Sequence, residues 1–438
     1  IYLDVMKIIE RDGQTYELVS AENTIPALEY VLKMKRIPDE LFLSHQLDSI
    51  SLEKMEYIGA EIAKRLSVAE PSPEIVDNLG VFEQIEFNCK ENFAQIEESA
   101  PQLVDHRYEY IKKITLNFLE ENKELFVKRH KDGYMKDGHG DLRVEHVFLE
   151  DNKISLIDCI EFNNRFRIND VMNEAGFLSM ELDYSGKIEL SDAFLKGFFK
   201  TYDDPDSHKL LNFYRCYRAV VRAKVAMFTM LGFKESDQEY SDKLAEYHRM
   251  MDMAVCYALS VKQIRPLVFC GMIASGKSVN AKAFAKRFSV LRTNTDEQRK
   301  ILAGMNITDN GVMEYDKGLY SKENSTKVYA MMGQRALYAM GAGRIPLVDG
   351  TFVKKDYLAG FEAELPVKPV YIEISAPEDV IIERLKAREG KANVSDGRLF
   401  HYEKMKEKAD KLERDLVLSG TDEPETNVNT ILEYLYNA

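Results

Sequence analysis

Hydrophobic positions change their period near residue 262. The first residues read as short strands: Ile1–Ile9 and Tyr16–Ser20 around the turn Arg11-Asp12-Gly13, then Tyr30–Met34, stopped by Pro38. Leu52, Met55, Ile58, Ile62 and Leu66 recur at helical spacing and predict a helix over Ser51–Leu66. Pro71-Ser72-Pro73 predicts a loop, and longer helices are predicted over Leu103–Phe126, Lys209–Phe233 and Ser241–Leu259. Beyond Pro266 the apolar runs shorten. Strands are expected at Leu267–Cys270, Val290–Asn294, Ile345–Asp349 and Val370–Ile374, with helices at Lys277–Phe288, Glu323–Ala342 and Pro377–Glu389. Such alternation implies parallel βαβ units with helices on both sheet faces. The expected division is residues 1–262 and 263–438, with no internal repeat.

Length agrees with more than one core: the chain has 438 residues. It has no 18-residue apolar run and no secretory signal, so a membrane span is not expected. The chain opens on Ile1 rather than Met, and the sequence leaves open whether that is the biological start. Cys89, Cys159, Cys216, Cys256 and Cys270 show no CxxC spacing, which fits five buried thiols in a reducing cytoplasm. Net charge is −14 and uneven. Residues 264–438 hold 26 Lys and Arg against 25 Asp and Glu; residues 1–263 hold 33 against 48. The acidic first part disfavours duplex nucleic acid and anionic membrane, and solubility alone also accounts for it.

Gly271-Met272-Ile273-Ala274-Ser275-Gly276-Lys277-Ser278 matches GxxxxGK[ST] between an apolar strand and an amphipathic helix. Glycines let backbone N–H groups converge on phosphate, and the helix N-terminus adds positive potential. Lys277 is expected to neutralise the β and γ phosphates, and Ser278 to ligate Mg²⁺. Asp296 follows the second strand, where a carboxylate can take a proton from an acceptor hydroxyl; a helix N-cap is its plain structural alternative. Arg299, three residues on, is placed to hold the acceptor or its phosphate. Asp349 ends an apolar strand at a Walker B-like position that supports Mg²⁺ through water. Arg384 and Arg388 are four apart on one helix face, before the polar stretch 390–398.

This half resembles the P-loop kinase superfamily, near gluconate kinase, chloramphenicol phosphotransferase and polynucleotide 5′-kinases. The resemblance covers about residues 265–415. It implies that Asp296 and Arg299 serve the acceptor, and that Arg384 and Arg388 belong to a lid closing over the transferring phosphate.

The first part carries Asp137-Gly-His139-Gly-Asp141-Leu-Arg-Val-Glu-His146, then Leu156-Ile-Asp158-Cys-Ile-Glu161-Phe162. Apolar strands at Val147–Leu149 and Ile154–Ile157 separate the two aspartates and suggest a catalytic-loop hairpin. From roughly 75 to 235 this part resembles the aminoglycoside phosphotransferase-like family, with a protein-kinase-like fold. That resemblance implies Asp141 as catalytic base, Asp158 as metal ligand and Asp170 as the aspartate that steadies the loop. His146 stands where the family has a metal-ligating Asn, and imidazole is a poorer Mg²⁺ ligand than a carbonyl oxygen. The only early lysine-bearing strand is read as Tyr30–Arg36, a last N-lobe strand and hinge, so the N-lobe is expected to be incomplete. Arg215, Arg218 and Arg222 share one helix face and are expected either to pair with carboxylates or to receive an anion or the other domain.

The whole chain resembles bacterial proteins that fuse an aminoglycoside phosphotransferase-like domain to a P-loop ATPase or kinase domain. The shared residues are His139-Gly-Asp141-Leu142, Ile157-Asp158, Glu161-Phe162, Tyr217-Arg218-Ala219, the phosphate loop and Val348-Asp349. The expectation is an α+β kinase-like domain followed by an α/β P-loop NTPase domain, acting as an ATP- and Mg²⁺-dependent phosphotransferase on a small-molecule hydroxyl. A polynucleotide 5′-hydroxyl kinase and an ATP-binding regulatory protein with a degenerate kinase-like domain are the alternatives.

Overall fold

A computed structural model describes residues 2–437 except 14, 77, 80, 151–152, 289, 307–317 and 388–397. The chain forms two compact units, one of residues 1–50 with 143–158, the other of 51–142 with 159–438.

In the smaller unit, β1 (Tyr2–Glu10) lies between β2 (Tyr16–Ser20) and β3 (Glu29–Met34) in an antiparallel sheet. A hairpin of Val147–Glu150 with Lys153–Leu156 completes the unit, and the Phe42 ring meets Phe148 at 6.0 Å. Tyr30–Arg36 is not the only lysine-bearing strand. Lys7 on β1 is almost fully buried, and its Nζ donates to the carbonyls of Asn23 and Ile25. Alternation hid it, because a lysine inside an apolar strand reads as the solvent face.

The larger unit begins with helices α1 (Leu52–Ser67), α2 (Phe82–Ser99) and α3 (His106–Glu121). Ser51 caps α1 by accepting from Lys54 N–H at 3.1 Å. The single helix expected over 103–126 is broken at Asn122, after which Lys123–Lys131 forms a second helix. Next come α4 (Val171–Tyr184), α5 (Ile188–Thr201), α6 (Ser207–Met230) and α7 (Gln238–Lys262). Helix α4 is buried on every side from Val171 to Asp183, so it shows no amphipathic period to betray it.

After α7 the chain builds a five-stranded parallel sheet. Its strands are β4 (Leu267–Cys270), β5 (Arg292–Asn294), β6 (Leu347–Asp349), β7 (Val370–Ser375) and β8 (Leu416–Ser419). Their order is β8-β7-β4-β6-β5, every pair parallel. The helices are α8 (Lys277–Phe288), α9 (Thr295–Leu302), α10 (Lys322–Gly341), α11 (Lys355–Glu362), α12 (Glu378–Lys386), α13 (Leu399–Lys408) and α14 (Pro424–Asn437). The chain runs from β4 to β5 and β6 on one side of it and then crosses to β7 and β8 on the other, so a crevice opens at the carboxyl end of β4, where ligands bind in such sheets.

The helical part and the sheet share one core: Met253, Ala254 and Cys256 of α7 pack in the same buried cluster as Phe284, Phe288 and Ile345. Partly buried ion pairs cross the same junction. Arg344 gives Nε to Asp192 at 2.6 Å and both Nη atoms to Asp183 at 2.9 and 3.1 Å. Arg107 and Arg287 both hold Asp252, at 2.9 Å each. Burial alone would raise the Asp183 carboxyl, but Arg344 and Arg215 outweigh it and hold it below its usual 3.8. Burial keeps Asp192, with its single bond to Arg344, above that value. A depressed carboxylate stabilises the fold above its unfolded pKa and loses that contribution as pH falls through the folded value. Asp183→Asn is therefore expected to flatten the acid limb of unfolding, below about pH 4, as followed by far-UV circular dichroism across pH 2–7.

The arginines of α6 are internal, not a ligand face. Arg215 donates to Ser179 at 2.9 Å and Ser191 at 3.2 Å, Arg218 to Asn173 at 2.6 Å, and Arg222 lies 3.2 Å from Glu181 and 3.3 Å from Glu246. All five cysteines are free, but Cys159 is exposed, against expectation; burial pushes the Cys216, Cys256 and Cys270 thiols up to about 12. Among the described residues no helix is long and apolar enough to cross a membrane.

Candidate functional site

The phosphate loop leaves β4 at Cys270 and enters α8 at Lys277. Gly271 takes φ 135°, and a Cβ there would stand 2.3 Å from the Ile374 carbonyl oxygen. Ala274 and Gly276 also adopt positive φ, 60° and 107°, as the chain curls. Ile273 and Ala274 are pinned from behind by Ile381, Leu385 and Tyr402. Gly420, just past β8, closes the back of the loop: a Cβ there would lie 1.8 Å from Ser275 O. Met272 O receives the Lys277 Nζ at 3.4 Å. The Ser275 hydroxyl is buried without a hydrogen-bond partner among the described residues.

Ser278 and Asp349 meet. Ser278 Oγ donates to Asp349 Oδ1 at 3.2 Å, and Asp349 is fully buried. The register that pairs Asp349 with Phe269 on β4 and Asn294 on β5 brings them together. Asp349 Oδ2 also accepts Arg292 Nη1 at 2.6 Å and Asn294 Nδ2 at 2.9 Å. A glycine cradle, an orphaned hydroxyl and two oxygen donors fit a phosphate chain with a hard divalent cation. With Oδ2 taken by Arg292 and Asn294, Asp349 turns only Oδ1 toward such a cation.

Asp296 is not the cap of α9. That role belongs to Asn294, whose Oδ1 accepts from the N–H groups of Asp296 and Glu297 at 2.9 and 3.1 Å. Asp296 is left with a side chain 24% exposed, 3.6 Å from Arg299 Nη1. Arg299 is buried, donates to Ser325 at 3.3 Å and lies over the Tyr320 ring at 4.5 Å; its Nε has no hydrogen-bond partner among the described residues.

Arg384 departs from the lid expectation. Nη1 donates to the carbonyls of Ala274 and Ser275 at 3.2 Å each, and Nη2 to Gly420 O at 2.8 Å. Its guanidinium is spent on the loop backbone, which makes it a positioning residue in this structure. Arg388 lies outside the described residues.

In the first part of the chain, the turn after Met135–Asp137 is held by both side-chain and backbone acceptors. Gly140 N–H donates to Glu174 Oε1 at 2.7 Å, Asp141 N–H to His139 Nδ1 at 3.3 Å, and Ile160 N–H to His139 O at 2.9 Å. Glu174 therefore steadies this turn. Asp170, expected to do so, instead binds Arg129 at 2.6 and 2.8 Å and caps α4 through Met172 N–H at 2.8 Å. Asp141 belongs to the larger unit; Asp158 and His146 belong to the smaller one. Asp158 takes φ 56°, an uncommon backbone for a residue with a Cβ, and His146 O accepts from Ile157 N–H at 3.0 Å.

Arg292, Asn294, Glu174 and Gly420 were not legible as site residues. Asn294 alone had a local signal, since Asn followed three residues later by Glu297 is a helix-start pattern.

Residues 267–412 match the model of the AAA domain. The matched segment runs from β4 through α13 and contains the loop, Asp296, Asp349 and Arg384. Uncharacterized proteins of Mycobacterium bovis and Mycobacterium tuberculosis are 29% identical over 367 residues, which is 83% of this chain and 72% of theirs. A sugar kinase from Janibacter is similar at 18% identity and TM-score 0.31, over 39% of this chain and 94% of its own. A gluconokinase from Sinorhizobium meliloti is similar at 19% identity and TM-score 0.28, over 40% and 93%. A shikimate kinase from Aquifex aeolicus is similar at 18% identity and TM-score 0.27, over 39% and 96%.

Proposed function

We propose that this chain is an ATP- and Mg²⁺-dependent phosphotransferase that acts on a hydroxyl of a small molecule, with the chemistry in residues 263–438. The observation that carries this is an unbroken run of contacts. Ser278 touches Asp349 at 3.2 Å, Asp349 touches Asn294 at 2.9 Å, and Asn294 caps the helix that presents Asp296 and Arg299. This one frame at the carboxyl ends of adjacent strands supports reading Ser278 and Asp349 as the metal side and Asp296 and Arg299 as the acceptor side.

The loop N–H groups and the start of α8 hold the β and γ phosphates, and Lys277 neutralises them. Ser278 and Asp349 would hold Mg²⁺, which when bound polarises the phosphate oxygens. Asp296 takes the proton of the acceptor hydroxyl as that oxygen attacks the γ phosphorus and the bond to the ADP oxygen breaks. Arg299 orients the acceptor, and Arg384 keeps the loop carbonyls turned away from the phosphates.

The first module is read, on the resemblance of His139-Gly-Asp141-Leu142 and Ile157-Asp158, as aminoglycoside phosphotransferase-like. Asp141 is then its base and Asp158 its metal ligand, or the module is an acceptor pocket.

Calorimetry of Mg²⁺·ATP binding to the wild type, Lys277→Ala and Asp158→Ala tests this together with a phosphate-transfer screen. The panel holds sugar acids, an aminoglycoside and a 5′-hydroxyl oligonucleotide. The expected result is one site lost in Lys277→Ala and transfer to a small hydroxyl compound. A second site lost only in Asp158→Ala would assign nucleotide binding to the first module as well. Wild-type affinity in Lys277→Ala, or ATP turnover that no acceptor changes, would overturn the phosphotransferase reading of this half.

A further inference from the structure

At Asp349 a partly exposed arginine and the metal side of the site share one carboxylate. Oδ1 faces Ser278, while Oδ2 takes Arg292 Nη1 at 2.6 Å. Arg292 is not committed to Asp349 alone: its Nη2 donates to Glu297 Oε1 at 2.5 Å, in the first turn of α9. The Arg292 side chain is 12% exposed, Glu297 22% and Asp349 0%. One guanidinium is therefore divided between the carboxylate beside the Ser278 hydroxyl and a carboxylate on the helix that carries Asp296. Neither phosphate binding nor proton transfer, as derived above, uses Arg292.

We propose that Arg292 sets the affinity of the site for its divalent cation, and that Glu297 sets how firmly Arg292 holds Asp349. The inference rests on Ser278 and Asp349 being the metal side of the site. A fixed cation near a dication in a water-poor site opposes its binding. Neutralising Arg292 leaves a buried carboxylate with hydrogen bonds from Ser278 and Asn294 but without its cation, whose place a dication takes. Neutralising Glu297 does the reverse, because the whole guanidinium then turns to Asp349.

The test is ADP binding to the full chain by calorimetry at graded Mg²⁺, with free Mn²⁺ followed by electron paramagnetic resonance as a second readout. Arg292→Gln is expected to lower the Mg²⁺ midpoint about tenfold. Glu297→Gln is expected to raise it several-fold, and Arg292→Lys to fall between Arg292→Gln and the wild type. Glu297 is partly exposed, so that variant keeps the test open should Arg292→Gln fail to fold. Midpoints of Arg292→Gln and Glu297→Gln that move in the same direction, or stay put while the wild type shows Mg²⁺-linked ADP binding, overturn the role of Arg292. A wild type whose ADP binding ignores Mg²⁺ overturns the metal-side reading of Ser278 and Asp349, and this inference with it.

Discussion

Arg129→Met is expected to destabilise the larger unit by about 3–5 kcal/mol, a large share of the ~5–15 kcal/mol that holds an ordinary domain together. Arg129 is fully buried and donates to three carboxylate oxygens: both of Asp170, at 2.6 and 2.8 Å, and Asp204 Oδ1 at 2.8 Å. Its guanidinium also lies over the Tyr134 ring at 4.2 Å. Methionine conserves much of the stem but leaves two carboxylates in a dry interior with no cation. Asp170 caps α4, so its distress passes directly into a helix buried on all sides. Urea unfolding followed by far-UV circular dichroism measures the loss. Burial already holds the Asp170 carboxyl above its usual value despite Arg129, and loss of the cation raises it further, so the variant regains stability as pH falls and Asp170 protonates. The deficit is therefore expected to narrow from pH 7 toward pH 5. Adding Asp204→Asn to Arg129→Met should recover part of it at pH 7, because one uncompensated charge is removed. A deficit below about 1 kcal/mol, or one independent of pH, would show that the triad is not what holds this region.

Asp296→Asn is expected to lower kcat for the transferring reaction by about 10²–10⁴-fold, with Mg²⁺·ATP affinity close to that of the wild type. Asparagine keeps the size and the place in α9 but cannot accept the acceptor's proton. The cap of α9 is untouched because Asn294, not Asp296, supplies it. That separates a chemical role from a structural one, which the sequence by itself could not do. Arg299→Gln is the companion: it should raise KM for the acceptor more than it lowers kcat. The measurement is steady-state transfer to whichever hydroxyl compound the panel identifies, with nucleotide binding by calorimetry on the same preparations. A kcat within threefold of the wild type for Asp296→Asn would remove it as the base.

The phosphate loop was readable because its chemistry is local. Eight consecutive residues must let backbone N–H groups converge, and only certain residue types permit that curvature, so the letters themselves declare it. The βαβ alternation was readable for the same reason, since strand and helix periods are properties of short windows. Asp296 and Asp349 stood out because each closes or follows an apolar strand. The all-buried α4 and the broken helix at Asn122 were not readable: the first has no polar face, and the second is ended by one residue of ordinary helix tolerance.

Long-range choice of partner was decided by the tertiary structure. Arg384 carries the helix spacing of a lid arginine, but Gly420, 36 residues away, takes one of its amino groups, and the loop carbonyls take the other. Arg292 finds Asp349 57 residues away, and Arg344 finds Asp183 across 161. With 59 basic and 73 acidic residues in the chain, charge alone cannot select those pairs. Sequence by itself determined the phosphate cradle, the alternation that becomes the parallel sheet and the aspartates at its carboxyl ends. Strand order and helix packing decided which cations those aspartates keep, because a buried carboxylate takes whichever donor the fold holds within reach.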